Sequence, residues 1–288
     1  MDEQSLLLQD GRRLGYAEYG DPTGRPVFYF HGSGGSRLDR PADVGMLREL
    51  GVRLVSTDRP GHGLSDFQSH RRLLDWPGDV DQLADHLGCG RIYVMGWSAG
   101  GPHALACAHL LPGRVIKGAL VASAAPMRRS GAFRGLSPSN RILAVTARRA
   151  PPLARLIRRI TRRMVMDDLE KASRRLMSTI PEADKAMLYA PENLGLFIRS
   201  VREGYRAGWQ GIAQDDILIS QDWGFDLAEV RVAFDIWQGE ADVNVPCHTG
   251  RYLRDTLPNA HATFLPGEGH FFLLKRWGEV LAALVSGD

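Results

Sequence analysis

The sequence predicts an α/β protein whose mostly parallel sheet carries helices on its faces, and three features lead to that reading. Short apolar, β-branched runs alternate with segments of helical spacing as far as residue 126. Such alternation implies parallel strands joined by crossover helices. The pattern stops between Met127 and about Trp209, then resumes towards the C-terminus. Finally, Gly96-Trp97-Ser98-Ala99-Gly100 sits between a strand and a helix, where a G-x-S-x-G turn presents its serine above a sheet.

Taken in order, residues 5–19 read as a β-hairpin that turns at Asp10-Gly11. Val27–His31 is a short buried strand that opens into Gly32-Ser33-Gly34-Gly35. This loop lacks the lysine and spacing of a phosphate-binding loop and is not a dinucleotide fingerprint, so nucleotide binding is disfavoured. A helical segment over Ala42–Leu50 leads to the strand Val52–Thr57 and to the loop Asp58-Arg59-Pro60-Gly61-His62-Gly63. Trp76, Val80, Leu83, Ala84 and Leu87 recur at helical spacing, and after the serine turn and its helix Val115–Ala122 makes another strand. Strand signal returns at Val232–Trp237 and His261–Leu265. His31, Asp58 and Ser98 follow strands, and ligands of such sheets bind beyond the carboxyl ends.

The interruption differs in composition. From Arg128 to Arg175 there are 14 arginines and lysines against three acids, a local charge of +11 that leaves −8 for the rest of a chain of net charge +3. Leu153, Leu156, Ile157, Ile160 and Met164 recur at helical spacing, with Arg155, Arg158, Arg159, Arg162 and Arg163 on an offset face. Pro151 and Pro152 mark a helix start, and Pro181 and Pro191 mark further breaks. The expectation is a helical cap at 127–209 inserted between the sixth and seventh strands of one core, 1–126 with 210–288. It would be apolar inside and basic outside. The arginine stripe is read first as a solvated face, with an anionic substrate or membrane surface as the alternative.

A serine hydroxyl is a weak nucleophile unless a base lies within reach and a third group orients that base. Asp242 follows one predicted strand, and His270 follows another within Gly267-Glu268-Gly269-His270. The order Ser98, Asp242, His270 is the one expected for this serine turn. Glu240 is the rival acid. Cys107, His103 and His109 fall on the helix after Ser98 as packing or surface groups, and His62 has no spacing to other ligands that suggests a metal. Attack on a carbonyl also needs oxyanion donors. Ala99 N–H is one, and Ser33 or Gly34 supplies the other.

Together, His31-Gly32, the stretch Asp58–Ser65, the serine turn, Gly239-Glu240-Ala241-Asp242 and Gly269-His270 make the chain resemble capped members of the α/β-hydrolase superfamily. The resemblance spans most of the chain outside the insertion. It implies the α/β-hydrolase fold and an acyl-enzyme on Ser98, with neither metal nor organic cofactor. Superfamily epoxide hydrolases and haloalkane dehalogenases carry aspartate at this turn, so Ser98 argues against those activities. The expected activity is a serine esterase cleaving a small-molecule carboxylic ester or a lactone, including large macrolide-type lactones. A carbon–carbon or amide hydrolase with the same triad is the alternative, and a non-catalytic small-ligand receptor is the reading from another class.

Of 288 residues, 44% are hydrophobic and 24% charged, the proportions of a soluble globular protein. Three widely spaced cysteines argue against a disulfide framework, and the acidic start lacks a secretory signal. A cytoplasmic location is expected, without a membrane span and without a nucleic-acid partner. Oligomeric state has no sequence signal.

Overall fold

The computed structural model describes residues 3–176 and 181–286, the side chains of 169–176 excepted. The charged side chains at 170–175 counted in the basic stretch lie outside the described residues. The strands are β1 (Gln4–Leu7), β2 (Arg13–Gly20), β3 (Arg25–Phe30), β4 (Val52–Thr57), β5 (Ile92–Trp97), β6 (Val115–Val121), β7 (Phe234–Gly239) and β8 (Ala260–Leu265). They form one sheet in the order β1-β2-β4-β3-β5-β6-β7-β8. β1 pairs with β2, and β2 with β4, antiparallel; every other pair is parallel. The expected mostly parallel sheet is therefore present, with a hairpin at one edge.

Both faces of the central strands are buried, which is why β3 and β5 read as unbroken apolar runs. Successive side chains alternate sides. Phe28, Phe30 and Val94 pack with Trp76, Val80 and Leu83 of α2 (Trp76–His86) and with Leu105 of α3 (Gly101–Leu110). Val27, Tyr29, Tyr93 and Met95 pack on the other side with Leu47 of α1 (Gly45–Glu49) and with Trp277, Val280 and Leu281 of α10 (Leu273–Val285). α9 (Cys247–Thr256) joins the first layer through Leu253. β7 starts at Phe234, not Val232, because pairing begins where Phe234 faces Ala260.

Between β6 and β7 lie α4 (Pro138–Arg149), α5 (Pro151–Leu176, bent at Asp168), α6 (Glu182–Leu188), α7 (Pro191–Gly204) and α8 (Gln210–Ser220). Proline opens α4, α5 and α7, where its missing N–H has no intrahelical partner to lose. α4, α5 and α8 meet at buried Ala147, Ala154 and Ile217. No helix among the described residues is long and apolar enough to cross a membrane.

The faces of α5 differ from the expectation. Leu153, Leu156 and Ile160 point outward, 46%, 49% and 51% exposed, while Ala154 and Val165 are buried. The helix is turned by roughly 100°, one residue's rotation, from the orientation that would bury its leucines. The cause is Arg158, whose guanidinium turns inward to Asp216 of α8 at 2.5 Å. Turning the helix to bury its leucines would carry Arg158 out to solvent and leave the buried Asp216 without its counter-charge, which costs more than exposing three aliphatic side chains.

Asp215, one residue earlier on α8, joins the insertion to the sheet. It is 1% exposed and accepts from Arg59 Nε at 2.6 Å and from Arg71. Arg59 in turn donates to the carbonyls of His31 at 2.5 Å and Gly32 at 3.3 Å. His62 and His103 stand 3.6 and 3.7 Å from the carboxylate. Burial opposes ionisation of Asp215, yet the two arginines hold it well below the usual carboxylate range. Burial pushes His62 down to about 3 and His31 and His103 well below an ordinary imidazole, so all three are neutral at pH 7. Asp215→Ala leaves two buried guanidinium groups without a counter-charge and is expected to destabilise the fold by about 3–5 kcal/mol. The loss should be read as a lower urea midpoint with little change in slope.

Candidate active site

At the end of β5 the backbone turns so tightly that Ser98 takes a left-handed conformation, φ 54°. A Cβ on Gly96 would lie 2.5 Å from the Gly100 carbonyl, and one on Gly100 would overlap the Phe30 carbonyl. Both positions therefore require glycine, and strain of this kind at a serine marks a site held in place by its surroundings.

Asp242 and His270 come from the loops after β7 and β8. His270 Nδ1 meets Asp242 Oδ2 at 2.8 Å, and both side chains are buried. The other carboxylate oxygen accepts from the N–H groups of Asn244 at 2.7 Å and Val245 at 2.8 Å, which fixes its plane. Glu240 turns away to Arg251, 3.8 Å distant, on the surface. The Trp97 ring stacks on His270 with centroids 5.7 Å apart, and its Nε1 donates to the His270 carbonyl at 3.4 Å. Cys107 is fully buried in the first core layer, and His109 stacks on Phe225. Among the described residues no group of three or more His, Cys, Asp and Glu is placed to hold a metal ion.

Ser98, His270, Ser33, Gly34 and Ala99 line one cavity of about 410 Å³, together with Leu143, Ile157, Val165 and Val201 of the helical insertion. Asp242 stands behind His270, outside this lining. The volume is within the range of small-molecule sites, and the lining as a whole is mainly apolar. Gly34 has φ 76°, and a Cβ there would meet the edge of the Tyr205 ring at 3.5 Å. Ser33 Oγ accepts from Arg158 at 2.8 Å, so the glycine-rich loop is tied to α5 and through it to Asp216.

Two residues that touch this site have no motif in the sequence. Arg158 reads as one of five arginines in a stripe, and only its partner 58 positions later distinguishes it. Asp184 of α6 is 1% exposed, accepts from Phe271 N–H at 2.7 Å and faces the His270 N–H. A side chain on Gly269 would collide with its carboxylate. The spacing Gly267-Glu268-Gly269-His270 carries the only trace of this approach, as a glycine beside the histidine.

The class defined by this sheet order, serine turn and acid–histidine pair is that of the α/β hydrolases. The chain belongs to the alpha/beta hydrolase family, whose model matches residues 27–284. It is 32% identical over 125 residues to a non-heme chloroperoxidase of Streptomyces lividans, covering 43% of this chain and 45% of that protein. The chain thus matches less than half the length of such curated relatives. Among solved structures it resembles an esterase from Exiguobacterium antarcticum (TM-score 0.71, 20% identity, 99% and 98% of the two chains). It also resembles the enol-lactonase from Burkholderia xenovorans (TM-score 0.66, 18% identity, 98% of each chain).

Burial opposes protonation of His270, but the charge and hydrogen bond of Asp242, with a smaller contribution from Asp184, raise it above an ordinary imidazole. The pair therefore adds stability below the unfolded imidazole pKa, and that share is lost as pH rises through the raised folded value. Asp242→Asn and Asp184→Asn should each lower the His270 titration midpoint followed by NMR of the imidazole ring. Asp242→Asn should have the larger effect, since it also removes a direct hydrogen bond. An unchanged midpoint in Asp184→Asn would show that its charge does not reach the ring.

Proposed function

We propose that this protein is a serine hydrolase that cleaves a carboxylic ester or lactone through an acyl-enzyme on Ser98. The observation that carries the proposal is the convergence on one cavity of a strained serine and a histidine bound to a buried aspartate. In this reading Ser98 Oγ attacks the carbonyl carbon, and His270 takes its proton through Nε2, because Nδ1 is engaged by Asp242. Asp242 holds the ring and stabilises the imidazolium. Ala99 N–H and an N–H of Ser33 or Gly34 receive the developing oxyanion. The protonated His270 gives its proton to the leaving alcohol, then draws one from water, which attacks the acyl carbon and frees Ser98.

Residues 127–209 act as the cap over a core of 1–126 and 210–288. α8 joins the two: it packs on α4 and α5, and its Asp215 is held by the core arginines. A cavity of about 410 Å³ with an apolar cap wall suits short acyl and alcohol groups better than a large macrolide-type lactone. A second reading rests on the similarity to proteins named non-heme haloperoxidases. The same acyl-enzyme would be released by hydrogen peroxide in place of water, giving a peracid.

Intact-mass measurement after exposure to a fluorophosphonate should show one adduct on the native protein and none on Ser98→Ala. The native protein should also hydrolyse a short p-nitrophenyl ester. Ser98→Ala should reduce that rate by at least about a thousandfold with its thermal unfolding unchanged. A retained rate in the variant would overturn the assignment. Peracid formation that depends on both peroxide and Ser98 would select the second reading.

A further inference from the structure

Two of the five arginines in the α5 stripe are used by the fold. Arg158 is bound to Asp216, and Arg162 Nε donates to the Tyr205 carbonyl at 3.3 Å. Arg155, Arg159 and Arg163 remain exposed, and no carboxylate of the described residues lies within ion-pair distance of them. They repeat every four residues and so form one row along the helix. Beside that row run Leu153, Leu156 and Ile160, each about half exposed. The solvent face of α5 is thus an apolar ridge next to an unpaired cationic ridge, ending at exposed Asp167 and the bend at Asp168.

We propose that this face of α5 docks on an anionic lipid bilayer, lying in the headgroup plane with its aliphatic ridge inserted. Neighbouring apolar and cationic rows match a surface that offers hydrocarbon a few ångströms below negative headgroups. A second copy fits less well: symmetric pairing of the same face brings two rows of three arginines together with no acid among them except Asp167. Nucleic acid fits less well again, since the ridge beside the arginines is aliphatic and has no aromatic ring to stack on bases. The opposite face of the same helix lines the cavity through Ile157, Thr161 and Val165. Docking therefore brings the bilayer within about one helix diameter, 10–12 Å, of the site. The proposal does not depend on the chemistry assigned to Ser98.

The test is co-sedimentation of the full chain with vesicles of phosphatidylcholine, with and without phosphatidylglycerol, at low and high salt. Binding is expected only with phosphatidylglycerol, and salt should weaken it. Arg155→Gln/Arg159→Gln/Arg163→Gln should reduce partitioning about fivefold per arginine. Leu156→Asn/Ile160→Asn should also weaken it, because the aliphatic ridge no longer inserts. These positions are exposed, so unfolding temperatures should stay near that of the native protein. The control Arg25→Gln/Arg48→Gln/Arg254→Gln removes equal charge from exposed positions elsewhere and should bind as the native chain does. Equal loss in the control would reduce the effect to net charge and overturn the proposal. Absence of vesicle binding by the folded native chain at low salt would overturn it too. A dimer in sedimentation velocity that Leu156→Asn/Ile160→Asn disperses, without vesicle binding, would assign the face to self-association instead.

Discussion

The buried carboxylate of Asp215 is the interaction on which the rest of the site depends. A charge with 1% exposure is stable only when its partners are fixed, and its partners come from separate parts of the chain: Arg59 after β4, Arg71 before α2, and the imidazoles of His62 and His103. Arg59 passes that constraint on, because its other N–H groups hold the carbonyls of His31 and Gly32. The next residues, Ser33 and Gly34, line the same cavity as Ser98, and a Cβ on Gly32 would lie 3.6 Å from that of Ser98. One ion cluster thus sets the distance between the glycine-rich loop, the serine turn and α8. A hydrophobic contact is non-directional and could not fix that distance as narrowly.

Asp216, the next residue on α8, performs the complementary task on the other side of the helix. It holds Arg158 at the cavity wall and so decides which face of α5 looks inward. The consequences are coupled. The inward face becomes Ala154, Ile157, Arg158, Thr161 and Val165, and the outward face keeps its leucines and three unpaired arginines. Consecutive acids on one helix, about 100° apart, therefore tie α8 to the core and to α5.

At the histidine, two carboxylates divide the work by what they touch. Asp242 meets the ring nitrogen, whereas Asp184 meets the backbone N–H groups at His270 and Phe271. The first sets ring orientation, and the second holds the loop that carries the ring. Because Asp184 belongs to α6, the helical insertion supports the histidine as well as closing the cavity. Trp97, adjacent to Ser98 in sequence, stacks on the same ring and links the serine turn to the histidine loop directly.

Features under the control of local backbone chemistry were readable from the order of residues. Alternating strands and helices, the glycines around Ser98, and an acid and a histidine after the last two strands were all legible. Each follows from side-chain periodicity or from steric limits within a few residues. The helical character of the stretch between β6 and β7 was legible for the same reason. The rotation of α5, the burial of Arg158 and the approach of Asp184 to the His270 loop depend on contacts between distant segments. Hydrophobic spacing on α5 favours a face about 100° away, and it loses to an ion pair whose partner lies 58 residues away. Asp184 reaches Phe271 across 87 residues. A charge is buried or solvated according to whether a counter-charge waits where the chain folds, and that meeting has no periodic trace in either segment.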